Sequence, residues 1–83
     1  MNFELEITYA DGTTKTVQVK AKDIVAFEQE FDMSMAELEK SVRMTHLFFM
    51  AHSVCKREGE KKSFDDWLAG VDMVQATDPK KAN

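Results

Sequence analysis

Between Met44 and Cys55 the chain reads M-T-H-L-F-F-M-A-H-S-V-C, and at helical spacing its apolar residues do not form a single stripe. Val42 and Phe49 point one way and Met44, Phe48 and Cys55 another, while Leu47, Ala51 and Val54 fill the ground between. A helix apolar over so much of its circumference must be covered on more than one side. A chain of 83 residues has little to cover it with. Either the rest of a small domain wraps this segment, or part of it is kept for a partner.

The length predicts one domain, over residues 1–77. Residues 78–83, with Pro79 and nothing to bury, are expected to form a disordered tail. Cys55 is the only cysteine, so no disulfide framework supports the fold, and a lone thiol in an apolar helix fits a reducing compartment. The opening M-N-F-E-L-E-I carries acids where a signal peptide would carry positive charge, so no export is expected. No apolar run approaches the roughly 18 residues that a membrane span needs. A net charge of −4 argues against a nucleic-acid binder. Lys56, Arg57, Lys61 and Lys62, interrupted by Glu58 and Glu60, read as a solvated helix end.

Residues 2 to 10 alternate, with Phe3, Leu5, Ile7 and Tyr9 on one face and Glu4, Glu6 and Thr8 on the other, as in a strand with one face buried. Asp11-Gly12 marks a turn, and Thr13 to Lys20 is the returning strand. A two-residue loop would set Val17 opposite Glu6 and mix the faces. A three-residue loop, Ala10-Asp11-Gly12 with Gly12 left-handed, pairs Leu5 with Val17 and Phe3 with Val19, giving one apolar side. A lone hairpin is marginal, so this face must pack on helices, and its outer edges would be free for a partner's strand.

Asp23 is the expected N-cap of a first helix carrying Ile24, Phe27 and Phe31 on one face and broken at Asp32-Met33. Ser34-Met35-Ala36-Glu37 has the form of a capping box and predicts a long central helix running to about Glu58, stopped by Gly59. Ser63-Phe64-Asp65-Asp66 opens a last helix with Phe64, Trp67, Leu68 and Val71 on one side. The predicted class is α+β: an N-terminal β-hairpin packed on three α-helices, the middle one long. The expected core joins Leu5, Ile7 and Val17 to Phe27, Phe31, Leu38, Leu47, Ala51, Trp67 and Leu68.

Chemistry-bearing constellations are sparse. His52 and Cys55 are three apart on a helix, but two candidate ligands do not make a zinc site, and His46 points elsewhere. Cys55 has His52 as its one candidate base, in an apolar setting that raises a thiol's pKa. Asp65 and Asp66 diverge on a helix and are explained by its dipole. Three glycines leave no phosphate loop. No catalysis, cofactor or metal is expected. What remains is surface for a protein partner, for which Phe48, Phe49, Met44 and Met50 are the candidate binding residues, in a chain with six methionines.

The order of elements carries a resemblance. A hairpin leads to D-I-V-A-F-E-Q-E-F (Asp23 to Phe31), then H-L-F-F-M-A-H-S-V-C-K-R-E-G (His46 to Gly59), then S-F-D-D-W-L-A-G-V (Ser63 to Val71). Over about residues 23 to 71 this resembles the small tail assembly chaperones of long-tailed bacteriophages and prophages. In those proteins an F-E-x-x-F element precedes a helix ending in a basic pair and glycine, followed by an F-x-x-W-L helix. The resemblance implies a non-catalytic protein that binds the long, helical, apolar tape-measure protein and assists assembly of the tail tube. It implies residence in the cytoplasm of the bacterial host and absence from the mature virion. From the residues, self-association is expected through apolar residues of the central helix, with Phe48 and Phe49 the best candidates. The resemblance also implies a longer frameshifted product, for which the codons of Pro79-Lys80-Lys81 can supply a slippery run of adenines. The alternative from the residues is a small acidic phage or bacterial adaptor or inhibitor, acting through a hydrophobic helix face or a hairpin edge.

Overall fold

The computed structural model describes residues 3–77. The expected tail, and with it the Pro79-Lys80-Lys81 segment, lies outside the described residues. The chain forms β1 (Phe3–Tyr9), β2 (Thr14–Val19), α1 (Ala21–Phe31), α2 (Met35–Lys40), α3 (Met44–Arg57), α4 (Phe64–Leu68) and β3 (Val71–Thr77). It is an α+β fold: a three-stranded antiparallel sheet in the order β2-β1-β3, with helices on one face.

The hairpin has the three-residue loop. Tyr9 N–H donates to the Thr13 carbonyl at 2.8 Å, Leu5 stands opposite Val17, and Phe3 stands opposite Val19. Gly12 has φ +91°, the left-handed conformation that closes such a loop and that a Cβ would strain. Asp11 holds the turn, its carboxylate accepting from both the Thr13 backbone and the Thr13 hydroxyl.

Three sequence expectations are corrected. The hairpin does not keep two free edges, because β3 pairs antiparallel with β1 and makes β1 the central strand. The last helix ends at Leu68 rather than carrying Val71, which opens β3. A bulge explains the misreading. Tyr9 faces Val71 while Thr8 faces Met73, so one extra residue enters β3 and puts Val71 and Val74, three apart, on the same face. A spacing of three imitates a helix in sequence.

The central helix is also not continuous from Ser34 to Glu58. It divides into α2 and α3 at Ser41-Val42-Arg43, so the helices number four among the described residues. An unbroken helix over that span would be about 36 Å long, more than the 34 Å longest extent of the domain. Division lets Leu38 of α2 reach the core while α3 lies across the sheet. The Ser34 capping box forms as expected, with Ser34 Oγ accepting from Glu37 N–H and Glu37 accepting from Ser34 N–H. Gly59, at φ +117°, follows the end of α3.

The core gathers Leu5, Ile7, Val17, Val19 and Val74 from the sheet with Phe27, Leu38, Leu47, Met50, Ala51, Val54, Cys55 and Trp67 from the helices. Phe31 and Leu68 pack against its margin. Along α3, Leu47, Met50, Ala51 and Val54 recur at the spacing of one helix face and lie inward together.

Candidate protein-binding surface

The four residues picked out as partner-binding candidates lie in different places. Met50 is fully buried in the core and offers no surface, which removes it from the set. Phe48 and Phe49 are both half-buried, and as successive helical residues they leave α3 about 100° apart. Phe49 packs edge-on to Phe31 of α1 at 5.3 Å between ring centroids and reaches Phe64 of α4 at 6.3 Å. Met44, in the first turn of α3, is 42% exposed, and the neighbouring Val42 is 52% exposed.

Phe49 belongs to a chain of aromatic contacts that runs between the helices from Phe27 to Trp67. Phe27, Phe31 and His46 meet at centroid distances of 4.8 to 5.3 Å. Beyond Phe49, Phe64 passes the chain to His52 and Trp67. The chain welds α1, α3 and α4 together, each edge-to-face pair adding to the burial of its rings.

Where α1, α2 and α3 converge the packing leaves a groove of about 430 Å³, lined by Phe31, Met33, Ser41, Arg43, Thr45 and His46. Its form follows from local sequence. α1 ends at Asp32, whose left-handed conformation (φ 52°) turns the chain back, and aspartate tolerates that conformation better than most residues. Glu28 accepts from Met35 N–H at 3.1 Å and so fixes the entry to α2. Arg43 N–H donates to His46 Nδ1 at 3.3 Å, which closes the first turn of α3 and holds the imidazole against Phe27 and Phe31. The groove thus combines the rings of Phe31 and His46 and the flexible Met33 with the polar side chains of Ser41, Arg43 and Thr45.

Sequence reasoning missed the residue that fixes α1 against α3. Asp23 is not the N-cap of α1 but its third residue, 1% exposed, accepting from Lys20 N–H at 2.8 Å. Ser53 Oγ donates to its other oxygen at 2.8 Å, and the Arg57 guanidinium donates at 2.9 Å. Burial by itself would raise the Asp23 carboxyl, but the bonds from Arg57, Lys20 N–H and Ser53 outweigh it and hold the pKa below the ordinary 3.8. Arg57 therefore departs from the solvated basic cluster, since it also donates to the Gln18 carbonyl at 3.2 Å. Lys56, Lys61 and Lys62 are exposed. The available signal was an acid at the third helical position with serine and arginine four apart on a later helix.

The residues considered for chemistry are held by packing. His52 Nε2 bonds the Lys62 carbonyl at 2.9 Å, and its ring lies between Phe64 and Trp67. Cys55 is buried, and burial pushes its thiol pKa up, away from the reactive thiolate. Among the described residues no group of three or more His, Cys, Asp or Glu is placed to hold a metal ion. No helix among them is long and apolar enough to cross a membrane. Comparison with protein-family models, with curated proteins and with solved structures returns no match.

Proposed function

We propose that this protein is a non-catalytic tail assembly chaperone that binds a tape-measure protein, a long helical client with apolar stripes, and assists assembly of the tail tube. The reading is supported chiefly by the groove between α1, α2 and α3, where Phe31 and Met33 stand among Ser41, Arg43, Thr45 and His46. Methionine adapts its shape to many partners and aromatic rings supply area, which suits a client presenting many similar but non-identical helical stripes. Met44 and Val42 extend apolar surface beside the first turn of α3. Self-association would set several such grooves along one client and gain avidity from individually weak sites. The protein acts in the cytoplasm of the bacterial host and does not remain in the finished virion.

The test uses helical segments of the long reading frame expected directly downstream of this gene. Labelled segments should bind the protein with an affinity that falls when Met33 or Met44 is replaced by serine, and the client should remain soluble only when co-expressed with it. Absence of a long helical reading frame nearby, or segments that ignore the protein, would remove the proposal.

A further inference from the structure

Among the described residues the sheet has two unpaired edges, β2 and β3, and they are built differently. Tyr9 N–H bonds toward β2, so odd-numbered residues of β1 face β2 and even-numbered ones face β3. By the same registers Thr14, Thr16 and Gln18 turn their backbone groups to the outside of β2, and Val74 and Ala76 turn theirs to the outside of β3.

The β2 edge is guarded. Lys15 lies opposite Ile7 on the helix-facing side with its Nζ 3.2 Å from Glu58, and Arg57 occupies the outward Gln18 carbonyl. An inward-pointing charge and an occupied carbonyl both discourage a further strand. The β3 strand, V-D-M-V-Q-A-T, has no lysine, arginine or proline. Among the described residues no backbone hydrogen bond reaches the outward groups of Val74 or Ala76. Its bulge sits at the Val71 end and leaves Met73 to Thr77 in regular register.

We propose that β3 pairs antiparallel with β3 of a second copy about a two-fold axis at Gln75, so that two three-stranded sheets join into one. In that register Val74 exchanges backbone hydrogen bonds with the second copy's Ala76, Gln75 stands opposite Gln75, and Met73 stands opposite Thr77. From Met73 to Thr77 the opposed pairs are uncharged. Facing glutamine amides can each donate and accept. Ala76 stands opposite Leu5, on the helix-facing side, yet is exposed, and the second copy's Val74 covers it. Met73, 40% exposed, gains a neighbour as well. The inference rests on the self-association in the function proposed above and gives it a surface.

Sedimentation of the full chain across a concentration series tests it, with Gln75→Lys, Ala76→Pro and Gln75→Cys. Gln75→Lys opposes two lysines across the axis, while within the chain residue 75 stands opposite Glu6, so the fold keeps its stability. Ala76→Pro removes an outward N–H that bonds nothing among the described residues. The expected result is a wild type of twice the 9.5 kDa chain mass, both variants at the chain mass with unchanged melting temperature, and a disulfide-linked dimer from oxidised Gln75→Cys but not from Met73→Cys. A monomeric wild type at every concentration overturns the proposal, as does a dimer that survives Gln75→Lys and Ala76→Pro. Protection of β3 amides in a monomer only when client is added overturns it too, assigning the edge to the client. Client binding by the wild type separates the two proposals: a wild-type dimer that ignores client sinks the function alone, and a wild-type monomer that binds client sinks the dimer alone.

Discussion

The inward and outward sides of α3 are almost equally apolar in sequence but differ in what covers them. Leu47, Met50, Ala51 and Val54 meet the sheet and are buried without remainder. On the outside, Phe49 is shared between Phe31 and Phe64, Phe48 is half-covered, and Met44 stands in solvent. A helix apolar on many sides is thus accounted for by a sheet, α1 and α4, and the surplus collects at its first turn, beside the groove. Apolar content alone does not mark a binding face, since most of it is used to close the small domain.

The largest expected effect lies on the covered side. Trp67 is buried where α4 meets the core, and its Nε1 has no hydrogen-bond partner among the described residues, so its value lies in packing. Trp67→Ala should cost about 3–5 kcal/mol, enough to unfold most of a domain this small. Thermal or urea unfolding reads it. An unchanged melting temperature would erase the contrast between the two sides.

Next comes the clamp that fixes how α1 covers α3. Asp23→Ala leaves Ser53 and the Lys20 N–H without their acceptor and strips the Arg57 guanidinium of its partner, and should cost about 3 kcal/mol. Because the folded pKa lies below 3.8, the contribution is fully present above that value and fades as pH falls through the lower folded value. Wild-type stability should therefore drop in acid, and the Asp23→Ala variant should lose less over the same window. Parallel pH profiles for the two would show that Asp23 carries no such linkage.

A smaller effect probes the half-covered boundary. Phe49→Ala removes one ring from the chain between Phe31 and Phe64 and should cost about 1–2 kcal/mol, less than a core phenylalanine because part of the ring is already wet. Denaturant midpoints measure the difference. A loss as large as that for Trp67→Ala would place Phe49 in the core rather than at its edge.

Legibility followed the locality of each signal. The hairpin register was readable because face alternation and Gly12 both act within a few residues, and Phe27, Leu47 and Trp67 were readable as core from helical spacing. The third strand was not readable, since the bulge puts Val71 and Val74 at helical spacing and the pairing of β3 with β1 joins the two ends of the chain. The break at Ser41-Val42 contains neither glycine nor proline, so no local residue marks it. At the candidate surface, Met44, Phe48, Phe49 and Met50 were all partner-binding candidates from sequence; the structure leaves Met44 exposed and Phe48 and Phe49 half-buried, and buries Met50, because only tertiary packing decides which of three consecutive bulky residues turns inward. Asp23 looked like a cap until Arg57, more than thirty residues later, completed its site.

The smallest stability effect should accompany the most specific functional one. Met44 is exposed and outside the buried core, so Met44→Ser should change folding stability by no more than about 0.5 kcal/mol. If the first turn of α3 contacts client, the same change removes a flexible apolar contact and should weaken binding of a helical client segment by about 1 kcal/mol, near fivefold. Fluorescence anisotropy with a labelled segment measures the affinity, and a melt on the same samples measures the fold. Val25, exposed on α1 away from the groove-lining residues, supplies the control: Val25→Ser should leave both quantities unchanged. Equal losses of affinity for the two variants would mean that client binding tracks exposed apolar area in general. A loss confined to Met44→Ser would locate the client on the uncovered end of α3.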